Sequence, residues 1–477
     1  MKNLELIFIP APGAGHLIST LEFAISLLNH DDRISITILA IKSPFPDTLH
    51  SLVNSMVSSH PRMTLINLPY VEPPPRELIT SIEYFITLYI DSYISHVQQA
   101  VGEILSDRSK PGGGSSSSVA GVVIDLFCVS MIDVAKEFGL PSYIYVTSNA
   151  GFLGLMLELP VRHDQIQREF RSSDPELLLP GFVKPVPVST LPSALFDAEH
   201  GGYSTYVRIA RGFREADGLI VNTFAELEPF DFGSLSNSRQ TPLRVYNVGP
   251  VLSLKSLPTL AHPASDLVKW DEIWEWLDHQ PSSSVVFLCF GSAGTFGEDQ
   301  ASLIAIALER CRKSFLWSLR LCSSEKNDVG LEMVLPDGFL ERTRGRGFVC
   351  GWAPQADILA HGAIGGFVSH CGWNSITESL WNGVPIATWP KYAEQQLNAY
   401  RMVKELGLSV ELKLDYRDVA PQAVTADEIE AAINRLMDDD GGVRKKVETM
   451  RDLGRAAVKE GGSSFNSIGR FIEDLAG

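Results

Sequence analysis

Residues 352–395 read WAPQADILAHGAIGGFVSHCGWNSITESLWNGVPIATWPKYAEQ. Within them, Ala363–Ser369 is a short apolar run that reads as a buried strand. His370-Cys-Gly-Trp-Asn-Ser375 follows at its carboxyl end, then a helix closing at Gly383, then a second apolar run at Pro385–Trp389. Strand, loop, helix and strand form the repeating unit of a parallel sheet with crossover helices. Such sheets bind ligands in crevices outside the carboxyl ends of their strands. A helix start at that edge offers unbonded N–H groups and a positive dipole end, both suited to a pyrophosphate. Gly372 lets backbone come close, and His370, Asn374 and Ser375 add hydrogen-bonding groups. Asn374 and Glu378, four apart, share a helix face. A carboxylate there suits a pair of sugar hydroxyls. The flat ring of Trp352 can stack on a base. On these residues alone, two readings stand: a nucleotide site, or core tryptophans beside a helix that Asn374 and Ser375 merely cap.

The same alternation extends outward. Leu6–Ile9 reads as a strand and Pro10–Gly15 as a turn. Leu17, Ile18, Leu21, Ala24, Ile25 and Leu28 then fall on one helical face, before a strand at Ile34–Ile41. Gly121–Ile124, a helix near Val129–Phe138 and a strand at Ser142–Val146 continue the series. Residues 252–269 lack a pattern and read as a linker. Beyond them, Ser284–Phe290, Ser314–Leu319 and Phe348–Gly351 read as strands and Gln300–Cys311 as a helix. Thr425-Ala-Asp-Glu428 is a capping box that opens a helix to about Met437. Pro111–Ser118 and Cys322–Val334 read as surface loops. The predicted fold class is α/β, in two halves of similar size.

Composition narrows the function. The chain of 477 residues carries 40 basic and 57 acidic side chains, a net charge of −17. That balance speaks against nucleic-acid partners and anionic membrane surfaces. It leaves phosphate binding open, because helix N-termini hold phosphates without net positive charge. Six cysteines, with no C-x-x-C pair, read as buried reduced thiols of a cytoplasmic protein. The apolar run Leu6–Ile9 is too short for a signal peptide. The long uncharged stretch Gly139–Leu157 is broken by Pro141, Asn149 and three glycines, so no membrane insertion is expected. A monomer is expected.

Over all 44 residues, from W-A-P-Q through H-C-G-W-N-S and G-V-P to the acidic-Gln pair, residues 352–395 resemble the signature box of plant family 1 UDP-dependent glycosyltransferases. The rest of the chain is similar in length and in order of segments. The resemblance implies a GT-B architecture, two facing Rossmann-like domains with parallel sheets. It implies an acceptor-binding domain at 1–250, a linker at 251–269, a UDP-sugar-binding domain at 270–457, and a C-terminal helix at 458–477 that returns to the first domain. It implies that Trp352 stacks on uracil, with the backbone of Ala353 pairing to the base. Gln355 and Glu378 would hold the ribose. His370, Asn374, Ser375 and Ser292 would hold the diphosphate. Trp373, Glu394, Gln395 and Thr147 would contact the sugar, UDP-glucose being the co-substrate. Glu394 stands where many relatives carry Asp and keeps the carboxylate. Lys391 stands where relatives usually carry an apolar residue, which sets apart the surroundings of the sugar.

His16 follows the first strand and Asp125 ends another, so both lie at the carboxyl edge of one sheet. A neutral imidazole can take a proton from a hydroxyl, and a carboxylate behind it can fix its tautomer. A lone loop histidine also reads as a surface or capping residue. The resemblance makes His16 the general base and Asp125 its partner in an inverting displacement that needs no metal or other cofactor. Outside the acidic run Asp438-Asp-Asp440, no Asp-x-Asp sequence occurs. Phe85, Phe127 and Leu195, with Tyr145, Phe152 and Leu153, suit a small apolar acceptor bearing a hydroxyl, such as a phenolic, flavonoid or terpenoid. Three other readings compete. A dehydrogenase would need a third glycine, where Ile18 stands, and an acidic residue, where Lys42 stands. A UDP-sugar epimerase would release free sugar. A non-catalytic UDP-sugar binder would not need His16 and Asp125.

Overall fold

The computed structural model describes residues 3–45, 50–75, 81–108, 117–229, 243–253, 264–291, 294–320, 334–415, 423–438 and 441–477. Two compact units divide the chain. One comprises Met1–Val188, Ser193–Ser253 and Gly454–Gly477, and the other Ser189–Pro192 and Leu254–Leu453.

The first unit is built on seven strands: β1 (Asn3–Ile9), β2 (Ile34–Ala40), β3 (Met63–Asn67), β4 (Ser117–Asp125), β5 (Ser142–Val146), β6 (Gly218–Val221) and β7 (Arg244–Asn247). Their order is β3-β2-β1-β4-β5-β6-β7, with every neighbouring pair parallel. Strands covered on both faces read as near-continuous apolar runs. Accordingly β1 is buried from Leu4 to Ile9, where its one charged residue, Glu5, is paired with Arg108 at 2.7 Å, and β5 is buried throughout. Chain order reverses between β1 and β4, the point where a doubly wound sheet opens a crevice. Ile9 pairs with Ile124, so the loop after β1 starts beside Asp125.

The second unit holds six strands: β8 (Val285–Cys289), β9 (Ser314–Ser318), β10 (Gly347–Cys350), β11 (Ile364–Ser369), β12 (Ile386–Thr388) and β13 (Ser409–Glu411). Their order is β10-β9-β8-β11-β12-β13, again all parallel. This sheet reverses between β8 and β11. Cys289 pairs with Ser369, so residues 290 and 370 leave the two strands at one level.

The last helix, Ser463–Ala476, packs on the first sheet. Phe471 is fully buried, its ring 5.0 Å from Tyr143, 5.2 Å from Tyr246 and 6.4 Å from Phe23. The Thr425 capping box forms reciprocally: the Thr425 N–H donates to Glu428 at 2.9 Å and the Glu428 N–H to Thr425 Oγ1 at 3.3 Å.

Several expectations change. Residues 264–269, read as linker, are the first turns of the helix Ala264–Asp278. Trp270, Ile273 and Leu277 form its buried stripe, and the helix runs back from there. Residues 254–263 and most of the expected loop at 322–334 lie outside the described residues. Ser117 and Ser118 belong to β4 rather than to a loop. Among the described residues, no helix is long and apolar enough to cross a membrane.

Candidate active site

In the first unit the helix Ala14–His30 opens at Gly13 and carries His16 in its first turn. His16 Nδ1 lies 2.8 Å from Asp125 Oδ2. The Asp125 side chain is fully buried, while that of His16 is 30% exposed, so the ring has one guarded and one open edge. Asp125 Oδ1 accepts the Phe127 N–H at 2.9 Å and caps the short turn Leu126–Cys128. Both carboxylate oxygens are thereby used. An anionic acceptor at Nδ1 fixes the proton there and leaves the lone pair on Nε2. Thr147 Oγ1, just past β5, stands 3.3 Å from the same Nδ1. The Phe127 ring lies 5.3 Å from the imidazole. Phe85 packs 6.1 Å from Phe45, and Leu195 is fully buried in the turn Ser193–Phe196. Phe127 is thus placed beside His16. Tyr145, Phe152 and Leu153 are core residues, and Tyr145 shares a hydrogen bond with Ser19 at 2.8 Å.

In the second unit the loop after β11 makes a strained turn. Cys371 has φ of 63°, a left-handed conformation uncommon outside glycine. Asn398 Nδ2 donates to the Cys371 carbonyl at 3.0 Å, and Ser369 Oγ accepts the Cys371 N–H at 3.1 Å. The helix Trp373–Asn382 then starts at Gly372, a cap residue with no side chain of its own to offer. Asn374 and Ser375 lie inside the first turn rather than at the cap position.

His370 is 6% exposed and its Nδ1 has no hydrogen-bond partner in the protein. Burial, and then the charges of Arg320 and Lys391, push its pKa down to about 4, so the ring is neutral. A Cβ placed on Gly291 or on Gly372 would sit 2.6 Å from His370 Nε2. Both positions thus need glycine to admit the imidazole.

Gln355 Nε2 donates to Ser375 Oγ and to Glu378 Oε2, each at 2.8 Å. Burial pushes the Glu378 carboxyl up to about 7, against the lowering effect of the Gln355 bond. Gln395 Oε1 accepts the backbone N–H groups of Lys391 and Tyr392 at 2.9 and 3.1 Å. Its Nε2 is therefore the end left to face a ligand. Glu394 is half-buried, with Oε1 3.4 Å from Asn398 Nδ2. Ala353 is buried at 4% exposure and Trp373 at 2%, so the Trp373 ring is packed inside the unit. Trp352 is half-buried and stacks on Trp270, centroids 5.1 Å apart. Ser292 lies outside the described residues. The sequence reading missed Trp270, Asn398, Ser369 and Arg320. Trp270 was legible in part, being the first aromatic of an i, i+3, i+7 apolar stripe.

Chemically, the second group offers stacking, a half-buried carboxylate and the N-terminal end of a helix, a set suited to a nucleoside diphosphate. The first offers a base and its orienting carboxylate. Among the described residues, no group of three His, Cys, Asp or Glu side chains could hold a metal ion.

The family described as UDP-glucoronosyl and UDP-glucosyl transferase matches residues 253–451. UDP-glycosyltransferase 71K1 of Malus domestica is 52% identical over 100% of both chains. A flavonol 3-O-glucosyltransferase of Arabidopsis thaliana is 48% identical over 100% of this chain and 98% of its own. The crystal structure of a Medicago truncatula glycosyltransferase complexed with UDP-glucose superposes with a TM-score of 0.89 at 48% identity, covering 100% of this chain and 99% of that one.

Proposed function

Because the chain belongs to the UDP-glycosyltransferase family, we propose that it moves glucose from UDP-glucose to a hydroxyl of a small apolar acceptor, phenolic, flavonoid or terpenoid, giving a β-glucoside. The observation that carries this reading is the 2.8 Å contact between His16 Nδ1 and the fully buried Asp125 carboxylate. His16 Nε2 takes the acceptor's hydroxyl proton as that oxygen attacks the anomeric carbon. The bond to the diphosphate breaks on the opposite face, and UDP leaves with the electron pair. Inversion of the α-linked donor follows from direct displacement. Asp125 stabilises the imidazolium that forms.

The donor residues are Trp352, Ala353, Gln355 and Glu378 for uridine, and His370, Asn374, Ser375 and Ser292 for the diphosphate. Trp373, Glu394, Gln395 and Thr147 serve the sugar. The choice of UDP-glucose is supported by the Gln395 amide, whose Nε2 is left to donate, and by the UDP-glucose complex of the Medicago truncatula protein. A flavonoid-like acceptor is supported by the Arabidopsis thaliana relative's name and by Phe127 beside His16. Fixed dipoles meet the leaving charge, so the chemistry needs no metal. The enzyme works in the cytoplasm as a monomer. Its five described cysteines, all free and buried, suit a reducing compartment.

The test is incubation with UDP-glucose and a panel of phenols and terpenoid alcohols, with glucosides read by mass and the anomeric configuration by NMR coupling. Free glucose without conjugate, or an α-glucoside, overturns the reading.

A further inference from the structure

Lys391 is 2% exposed. Its Nζ donates to the Thr295 carbonyl at 3.0 Å and stands 3.7 Å from the centroid of the Phe296 ring. Arg320 reaches the same stretch from β9. Its Nη2 donates to the Gly291 carbonyl at 2.6 Å and approaches that of Gly294 at 3.4 Å. Two cations thus hold three carbonyls of the loop that leaves β8, beside the point where the second sheet reverses.

The electrostatics of this arrangement are specific. An ammonium held at 2% exposure has shed most of its hydration, so its field is weakly screened. That field already reaches His370, which both cations drive toward neutrality. The other groups suited to the diphosphate are dipoles without net charge: a neutral imidazole, the hydroxyl of Ser375, the amide of Asn374 and the backbone N–H groups at the start of the helix Trp373–Asn382. A diphosphate carries at least two negative charges, and a fixed positive charge in a low-dielectric setting is the strongest means of offsetting them.

We propose that Lys391, with Arg320 behind the same loop, is the fixed positive charge that offsets the diphosphate of the donor, a positioning residue that acts through space and through the backbone of Gly291, Gly294 and Thr295. This rests on the donor-site reading of the second unit given above.

The test separates charge from scaffold by comparing UDP with uridine, which has the same base and ribose but no phosphate. Wild type, Lys391→Met, Lys391→Gln and Lys391→Arg are titrated with UDP by calorimetry and with uridine by NMR. Loss of the ammonium in Met or Gln should weaken UDP about tenfold while leaving uridine within about twofold. Lys391→Arg, keeping the charge, should hold UDP within about threefold of wild type. The Gln variant carries the test if the Met variant does not fold. Equal weakening of UDP and uridine, or unchanged UDP affinity in both neutral variants, overturns the proposal. Wild-type protein that binds neither ligand overturns instead the donor-site reading beneath it.

Discussion

Gln355 donates its side-chain amide to Glu378 Oε2 at 2.8 Å, tying the helix Gln355–Ala360 to the helix Trp373–Asn382. The bond favours an ionised Glu378, yet burial dominates and lifts the carboxyl to about 7 from its ordinary 4.5. Ribose hydroxyls donate best to a carboxylate, so uridine affinity should rise with pH through 7. Between pH 6 and pH 8 the gain should be roughly tenfold, if the ionised form alone binds. Uridine is the right probe, having no phosphate of its own to titrate. A carboxyl raised on folding destabilises the folded state above its unfolded value. That cost begins near pH 4.5 and is complete above about 7. Glu378→Gln should therefore flatten the uridine profile and gain stability at pH 8 relative to pH 4. A wild-type profile that is flat contradicts the assignment.

The His16–Asp125 pair should behave as one unit. His16→Ala should lower kcat by about 10²–10⁴-fold, and UDP affinity should hardly change because the residues assigned to uridine and the diphosphate belong to the other unit. Asp125→Ala should lose activity as well, the imidazolium being left unsupported. The double variant should be little worse than His16→Ala alone. Acidic phenols, already partly ionised, should suffer less than aliphatic alcohols. Rates for the three variants on one phenol and one alcohol decide it. Multiplying losses, or full activity of His16→Ala on the alcohol, would assign the proton to another group.

Asn398 holds the strained Cys371 peptide through its carbonyl. Asn398→Ala should cost about 1–3 kcal/mol by orphaning a buried acceptor. Cys371→Gly, which relieves the positive φ, should recover part of that loss in the double variant. Chemical denaturation of the four proteins reads both effects. Strict additivity of the two changes would mean that the turn is not held by Asn398.

Phe471→Ala should destabilise the first unit by about 3–5 kcal/mol, since it empties an aromatic cage beneath the sheet. All eight tryptophans fall between residues 270 and 389, within the second unit. Tryptophan fluorescence therefore follows that unit, while far-UV circular dichroism follows both. The circular dichroism transition should move to lower denaturant by more than the fluorescence transition. Equal shifts by both probes would refute a local effect.

How much of this was legible follows from local patterning. The central strands β1, β2, β4, β5, β8 and β11 are mostly apolar runs and were readable as such. The edge strands β3, β7 and β13 are short and interrupted by polar residues, and β6 has four residues, too few to show a period. The helix Ala150–Ile166 is buried on nearly every side, so it has no polar face to betray its turn. In the candidate site, His370, Glu378 and Gln395 came from one contiguous segment. Trp270 behind Trp352 and Asn398 under Cys371 are tertiary pairings, and neither has a local signature. The orientation of Gln395 was also beyond reach, because it is set by two backbone N–H groups rather than by composition.

The return of the Ser463–Ala476 helix to the first sheet has a consequence for synthesis. The ribosome delivers β1 to β7 first, yet the aromatic cage around Phe471 closes only when Ser463–Ala476 emerges. The second unit, apart from Ser189–Pro192, is a single continuous stretch and can finish folding while the first still waits. A nascent chain arrested before residue 463 therefore exposes Tyr143, Tyr246 and Phe23 to whatever meets the ribosome exit. Emergence of Ser463–Ala476 is, for the first unit, the step that completes its core.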